Sequence, residues 1–377
     1  MKVLMVNTPA SLRFRGGDLT QMRKTAEALR PLGVQVSESF DPRPDATGFD
    51  LAHVFNLRTI QVTATQVRHL KRARVPVVMS PIYVNPSLPL WGDRVVRSIF
   101  GKQRTENELA RLMDDLNAYR LKVKRPGGVV VAAETQNRPR SEYDAMQRSI
   151  LQSVDHVLPN SMLEMNQLVK TLRVCNIPFT VVPYAADPLT FLDPDPTPFV
   201  KKHGLRDFVL QVGRIEIQKN QLLLAYALRR LDVPLVLIGT PLQPQYLQWC
   251  RTYGPKGLRV IQHLAPHELT SAYAAARVHA LPSWFETCGL VTMEAALANC
   301  TTVVSTAGYE LEYYRDLAYY CDPANPSSIL AAVTNALENY DRDARRRLRL
   351  KQLILNDYTW DRAAEATFHA YCRVLGG

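Results

Sequence analysis

The chain has 377 residues, 46% of them hydrophobic and 21% charged, with a formal net charge of +11. That length exceeds what one hydrophobic core supports, so two domains are expected; the composition excludes disordered and fibrous classes. No apolar run nears the ~18 residues a bilayer span needs, and Met1 to Val6 reads as a strand rather than a signal peptide. The six cysteines are scattered without metal-ligand pairing, so free thiols in a reducing, cytoplasmic setting are expected.

Lys2 to Asn7 has strand character. Gly16-Gly17-Asp18 follows, then a helix from Leu19 to Leu32 with apolar residues at Leu19, Met22, Ala26 and Leu29. Asp18 suits its N-cap and Gly33 its C-terminal stop. Val34 to Ser37, Leu51 to Phe55 and Val75 to Met79 read as strands, with a helix from Ile60 to Lys71. This alternation implies a parallel sheet with helices on both faces. Later strands are expected at Val129 to Ala132, His156 to Leu158 and Thr180 to Val182, with helices from Arg140 to Ser153 and Ser161 to Leu172. Pro and Asp crowd residues 185–200, the composition of an inter-domain linker.

The second half repeats the pattern. Strands are expected at Phe208 to Val212, Leu235 to Ile238, Leu258 to Ile261, Val278 to Leu281 and Thr302 to Ser305. Helices are expected at Gln221 to Leu231, Tyr246 to Tyr253, Pro266 to Ala276, Gly289 to Asn299, Pro326 to Asn339 and Trp360 to Leu375. No repeat of solenoid period is present.

Residues 1–190 hold 26 Lys and Arg against 17 Asp and Glu, and residues 191–377 hold 20 against 18, so the first half carries most of the positive charge. Residues 85–127 break the strand–helix rhythm. Trp91, Val95, Val96, Ile99 and Phe100 interleave there with Arg94, Arg97, Lys102 and Arg104. Two readings stand for this stretch: helices packed on the first domain, or a peripheral contact with an anionic membrane. No nucleic-acid partner is expected, since the basic half lacks an aromatic platform or a recognisable motif.

Chemistry-bearing residues cluster at strand ends. Gly213-Arg214 follows a strand directly, and Lys219 precedes the next helix, where an open α/β sheet binds its ligands. Two cations there suit a diphosphate; a plain surface loop would look the same. Gly16-Gly17 permits close backbone approach to a phosphate, or makes a simple tight turn; the GxGxxG fingerprint is missing. His53 ends a strand and suits acid–base work or substrate orientation, or a structural role. Glu286 and Glu294 lie eight positions apart, with a helix start between them at Thr287, Cys288, Gly289 and Leu290. Free amides at a helix start favour an anion. Carboxylates beside such a site suit a ligand with sugar rings and phosphates.

In combination these features resemble the retaining GT-B glycosyltransferases of glycosyltransferase family 4. Val212-Gly213-Arg214 with Lys219-Asn220 is similar to the family's VGR…KN segment, and Pro282-Ser283 through Glu294-Ala295 to its PS…E-x7-E segment. Val181 to Asp187 is similar to its domain-joining segment, and Tyr358-Thr359-Trp360 to the start of its final helix. The resemblance implies an α/β, GT-B fold: two Rossmann-like domains facing each other across a cleft. Residues 1–187 would bind the acceptor, residues 188–357 the nucleotide-sugar donor, and the helix within 358–377 would cross back to the first domain.

The resemblance also implies roles. Arg214 and Lys219 would hold the donor diphosphate, and Glu294 the ribose hydroxyls. Glu286 would contact the transferred sugar, with Thr287, Cys288, Gly289 and Leu290 lining the sugar and phosphate. Gly16 and Gly17 would approach the phosphates, and Gly239, His263 and Leu264 would lie near the base. His53, Ser80 and Tyr83 would face the acceptor, although the family's His after the fourth strand is absent from Ser80-Pro81-Ile82-Tyr83. The implied reaction is retaining, metal-independent transfer of a sugar to a hydroxyl of a glycan or lipid-linked acceptor in polysaccharide or glycoconjugate biosynthesis, with no cofactor. Its alternatives are a nucleotide-sugar epimerase or phosphorylase of the same fold, and a non-catalytic binding module.

Overall fold

The computed structural model describes residues 1–13, 16–102, 104–113 and 139–376, apart from the side chains of 139–141. Contacts divide the chain into two units. The first gathers Met1–Val84, the described part of 136–186, and 356–376; the second gathers the described part of 85–135 and Asp187–Leu355.

The first unit is built on a five-stranded sheet in the order β2-β1-β3-β4-β5. Its strands are β1 (Lys2–Val6), β2 (Gln35–Ser39), β3 (Leu51–Phe55), β4 (Val77–Ser80) and β5 (His156–Val157), and every pairing is parallel. The inner strands are buried on both faces, as parallel sheets require: every residue of β3 and β4 is buried. The helices Gly17–Leu29 and Ile60–Arg72 each set a buried stripe against it, Leu19, Met22, Ala26 and Leu29 in the first case and Ile60, Val67 and Leu70 in the second. The helix Trp360–Leu375 closes the unit by packing on Gly17–Leu29.

The second unit holds a six-stranded parallel sheet in the order β11-β10-β9-β6-β7-β8. Its strands are β6 (Phe208–Val212), β7 (Leu235–Ile238), β8 (Leu258–Ile261), β9 (Ala276–Leu281), β10 (Thr301–Ser305) and β11 (Tyr319–Cys321). The helix Gln221–Leu228 is buried along its whole length, so it reads as a continuous apolar run instead of an amphipathic one.

Several expectations need correction. Thr180 to Val182 forms no strand; the segment runs along β5 through an isolated bridge at Phe179 and backbone bonds such as Thr180 N to Val157 O at 3.0 Å. The linker contains two short helices, Pro188–Phe191 and Thr197–His203, started by the prolines that mark it as irregular. The strand expected at Val129 to Ala132 and the basic stretch beyond residue 113 lie outside the described residues.

The described residues 85–113 join the second unit, not the first. The helix Ser87–Phe100 buries Val96, Ile99 and Phe100 in the core that holds Leu223, Tyr226 and Trp284, and the Phe100 ring meets Tyr226 and Tyr253 edge-on. Its apolar face is thereby filled by protein, which leaves Leu90, Arg94 and Arg97 outside. Among the described residues, no helix is long and apolar enough to cross a membrane.

Two glycines let the loops beyond β6 and β7 touch. Gly213 and Gly239 sit at φ 139° and 153°, where side-chain-bearing residues are strained, and a Cβ on Gly239 would fall 2.7 Å from the Gly213 carbonyl carbon. Gly239→Ala is expected to lower stability by about 2–4 kcal/mol. Urea denaturation checks this; an unchanged midpoint would show that the loops are free to separate.

Candidate functional site

In the second sheet the strand order reverses between β6 and β9, so the loops leaving their carboxyl ends flank the crevice where open α/β sheets bind ligands. Side chains knit these loops together. Gln211, buried on β6, donates from Nε2 to Lys219 O at 2.7 Å. Asn220 takes the left-handed conformation at φ 60°. Its Nδ2 donates to Pro282 O at 2.9 Å and Pro323 O at 2.7 Å, tying the loops after β6, β9 and β11. The Trp284 amide donates to Gln218 O at 3.0 Å.

The charged groups meet at this junction. Lys219 Nζ lies 2.5 Å from Glu286 Oε2, and both side chains are largely buried, at 18% and 12% exposure. Ser283 Oγ donates to the same oxygen at 3.2 Å. The Glu286 backbone is fixed from the β10 side: its amide donates to Ala307 O at 3.3 Å and its carbonyl accepts from Tyr309 N at 2.9 Å. Gly308 makes that approach possible, since a Cβ there would sit 2.7 Å from Glu286 N. Arg214 pairs with Glu216 through Nη2 at 3.0 Å and Nε at 3.2 Å.

Gly289, at φ 65°, starts the helix Leu290–Leu297, and no side chain caps it. The Thr292 and Met293 amides turn back to Gly289 O at 2.7 and 3.3 Å, and the amides before them form a small positive pole at the helix start. Tyr314 braces the turn from behind, its hydroxyl donating to Cys288 O at 2.5 Å and Gly289 O at 3.1 Å. Cys288 is buried, and burial holds its thiol well above the usual range; Thr287 and Leu290 are half-buried at the surface. One turn on, Glu294 accepts the Tyr273 hydroxyl at 2.8 Å. Burial pushes its carboxyl up to about 7, partly offset by that hydrogen bond. Gly239 follows β7, and His263 and Leu264 follow β8, at the same edge of the sheet. The structure thus brings Arg214, Lys219, Gly239, His263, Leu264, Glu286 to Leu290 and Glu294 to one edge of the second unit.

In the first unit, Gly16 is an extended N-cap without a side-chain bond, at the start of the helix Gly17–Leu29. His53, Ser80 and Tyr83 need correction. His53 is 1% exposed. Its Nδ1 lies 2.7 Å from the Tyr371 hydroxyl and its Nε2 2.9 Å from Ser80 Oγ. Both nitrogens are engaged, and burial lowers its pKa to about 3, so the ring stays neutral and pins the last helix to the sheet. Ser80 and Tyr83 are each 1% exposed and belong to the interior of this unit. None of the three side chains faces solvent to meet an acceptor.

Sequence reasoning gave no role to Ser283, although it lies in the quoted motif, and missed Glu216 and Tyr273; these three hold Glu286, Arg214 and Glu294. It also missed Glu310, which is fully buried and whose Oε2 accepts the Ser305 amide at 3.3 Å. Burial and the nearby Glu286 push its carboxyl well above the usual range. Gly308-Tyr309-Glu310, directly after a strand, was the available signal; Tyr273 lies on another helix and left none.

Residues 198–352 match the family model for glycosyl transferases group 1. A glycogen synthase from Mycobacterium tuberculosis is 30% identical over 178 residues, 45% of this chain and 43% of that protein. The chain thus spans about half the length of the curated relatives it matches. Among solved structures, a sucrose-phosphate synthase from Thermosynechococcus elongatus superposes with a TM-score of 0.70 at 15% identity, covering 100% of this chain and 99% of that one. Anabaena HepE in complex with UDP-glucose gives 0.70 at 14% identity, covering 99% and 100%. At such identity the likeness shows the fold, the GT-B architecture of two Rossmann-like units. The likeness to glycosyl transferases group 1 thus lies over residues 198–352, in the second unit.

Proposed function

We propose that the protein is a retaining glycosyltransferase of family 4 that moves a sugar from a nucleoside-diphosphate donor to a hydroxyl, without a metal ion. The observation that carries this reading is the Lys219–Glu286 pair at the β6/β9 reversal, beside the uncapped helix start at Gly289 and one turn from Glu294. Arg214 and Lys219 supply positive charge for a diphosphate, and the helix amides add donors. Glu286 keeps Oε1 for a sugar hydroxyl, and Glu294 offers a carboxylate to a ribose. Relatives whose names or complexes include glycogen synthase, UDP-glucose and ADP support a nucleotide-sugar donor.

In this reading the bond from the anomeric carbon to the leaving phosphate oxygen breaks while the bond to the acceptor oxygen forms on the same face. The acceptor proton passes to the departing diphosphate. Negative charge grows on that phosphate, and Arg214, Lys219 and the first-turn amides stabilise it. An acceptor that is a glycan or a lipid-linked sugar fits a role in polysaccharide or glycoconjugate assembly. Contact with an anionic membrane would rest on charge alone in the described part of the basic stretch, since the apolar face of Ser87–Phe100 is already buried.

Lys219→Ala is expected to lower kcat/KM for the donor on the order of 10²-fold or more with an unchanged circular dichroism spectrum. Near-normal turnover in a nucleotide-sugar panel would remove Lys219 from the site, and an inverted anomer in the product, read by NMR, would refute retention. Glu294 gives a pH test. Its raised pKa means that the folded protein carries a neutral carboxyl below about 7 and a costly carboxylate above it. Its stabilising contribution is therefore complete below its unfolded pKa and lost as pH rises through about 7. Glu294→Gln should gain about 1–2 kcal/mol over the parent at about pH 8 and nothing at about pH 4, by urea titration. The same substitution should weaken nucleotide binding at about pH 8, because a ribose hydroxyl loses its ionic acceptor.

A further inference from the structure

The helix Ser87–Phe100 leaves the first unit's chain after Val84 and packs against the second unit's turn Ile217–Lys219. Gly92 of the same helix lies against Trp284, whose amide bonds to that turn. Gly92 is buried in mid-helix, where glycine is a poor choice. A Cβ placed on it would lie no more than 2.9 Å from three carbons of the Trp284 indole. Trp284 is itself fully buried, with Trp91 edge-on to it at a centroid distance of 5.7 Å.

Trp284 touches both charged partners of the site through short links. Its amide holds Gln218 O at 3.0 Å, next to Lys219. Its neighbour Ser283 holds Glu286 Oε2 at 3.2 Å. Ile217 and Trp284 lie in one hydrophobic core with Val96, Ile99 and Phe100 of the helix. A displacement of the Trp284 backbone would therefore disturb both loops that carry the Lys219–Glu286 pair.

We propose that Ser87–Phe100 is a strap that sets the position of the donor-binding loops, with Gly92 and Trp284 as positioning residues. The inference rests on the donor reading of Lys219 and Glu286. The strap seats its bare glycine on the indole face, so the ring fixes the spacing of the loops after β6 and β9. Gly92 and Trp284 are both buried, so their action on the donor is indirect. Their effect reaches it through the placement of Lys219 and Glu286, where a shift of about 1 Å costs on the order of 10²-fold.

The full-length protein is titrated calorimetrically with UDP, GDP and ADP, and donor KM and kcat are measured in parallel. Gly92→Ala should raise the Kd of the preferred nucleoside diphosphate at least about tenfold and raise donor KM, with the helical spectrum retained. Trp284→Leu, which removes the ring, should raise the Kd by a similar factor. Arg94→Ala, on the exposed side of the same helix, should bind as the parent does. Should Gly92→Ala fail to fold, Trp91→Ala removes the edge contact without inserting an atom and should raise the Kd about threefold or more. A parent-like Kd in Gly92→Ala, even with a lowered Tm, overturns the strap and leaves the donor reading standing; for Trp91→Ala the same result does so. A parent-like Kd in Trp284→Leu also overturns it. A parent protein that binds none of the three nucleotides overturns the donor reading and the strap together.

Discussion

Lys219 and Glu286 come from loops on opposite sides of the strand reversal, and their 2.5 Å contact requires those loops to be pressed together. The geometry is enforced by backbone and not by the ion pair. A partly buried salt bridge loses most of its Coulombic gain to desolvation, so attraction alone would not hold the loops at this distance. What holds them is steric permission plus directed hydrogen bonds. Gly239 lets the β7 loop lie on Gly213, Gly308 lets the β10 loop lie on Glu286, and Asn220 reaches two carbonyls from a left-handed residue. Given that scaffold, removing one charged partner leaves the other stranded in a poorly hydrated place. The pair is therefore costly to break and weakly stabilising to keep, which favours a functional reason for it.

The charge balance at this edge supports the same conclusion. This edge holds Arg214 and Lys219 together with Glu216, Glu286, Glu294 and Glu310, four carboxyl groups to two cations. Read at face value, this would repel a diphosphate. Two of the carboxyls are not full charges near neutral pH: burial holds Glu294 near 7 and, with help from Glu286, holds Glu310 well above the ordinary carboxylate range. The remaining pairs, Arg214 with Glu216 and Lys219 with Glu286, cancel, and the uncapped amides at Gly289 add positive potential. An incoming diphosphate competes with carboxylates that already occupy the cations. Binding can then be selective: an anion too small to reach both cations and the helix start recovers less than it displaces.

How much of this was legible in the sequence follows from the range of the interactions. The inner strands of both sheets were readable because parallel strands buried on two faces are short apolar runs set between helical periods. The placement of Arg214, Lys219, Glu286 and Glu294 beyond strand ends was readable because each lies within a single strand–loop–helix unit. β11, three residues long, and the helix Glu310–Tyr314 were too brief to show a period. The helix Ala344–Asp357 was hidden by its charge, with Arg347, Leu350 and Ile354 its buried residues. His53 was misread for a different reason. Its partner Tyr371 lies 318 residues away, and nothing local distinguishes a histidine that pins a helix from one that moves a proton. The strap was assigned to the first domain by its place in the chain, whereas its packing partners lie more than 100 residues downstream.

Gly92 shows where local preference gave way to tertiary demand. Alanine in a mid-helix position is favoured over glycine by about 0.5–1 kcal/mol, and nothing in the helix backbone asks for glycine, since Gly92 needs no positive φ. The helix gives up that stability because the indole of Trp284 fills the space a methyl would take. A fully buried tryptophan is a large anchor that could have packed against any apolar side chain, yet here it meets bare backbone, the closest approach a helix permits. Local rules that fail without local cause tend to mark sites under another constraint. At this position the other constraint is the spacing of the two loops that bring Lys219 to Glu286.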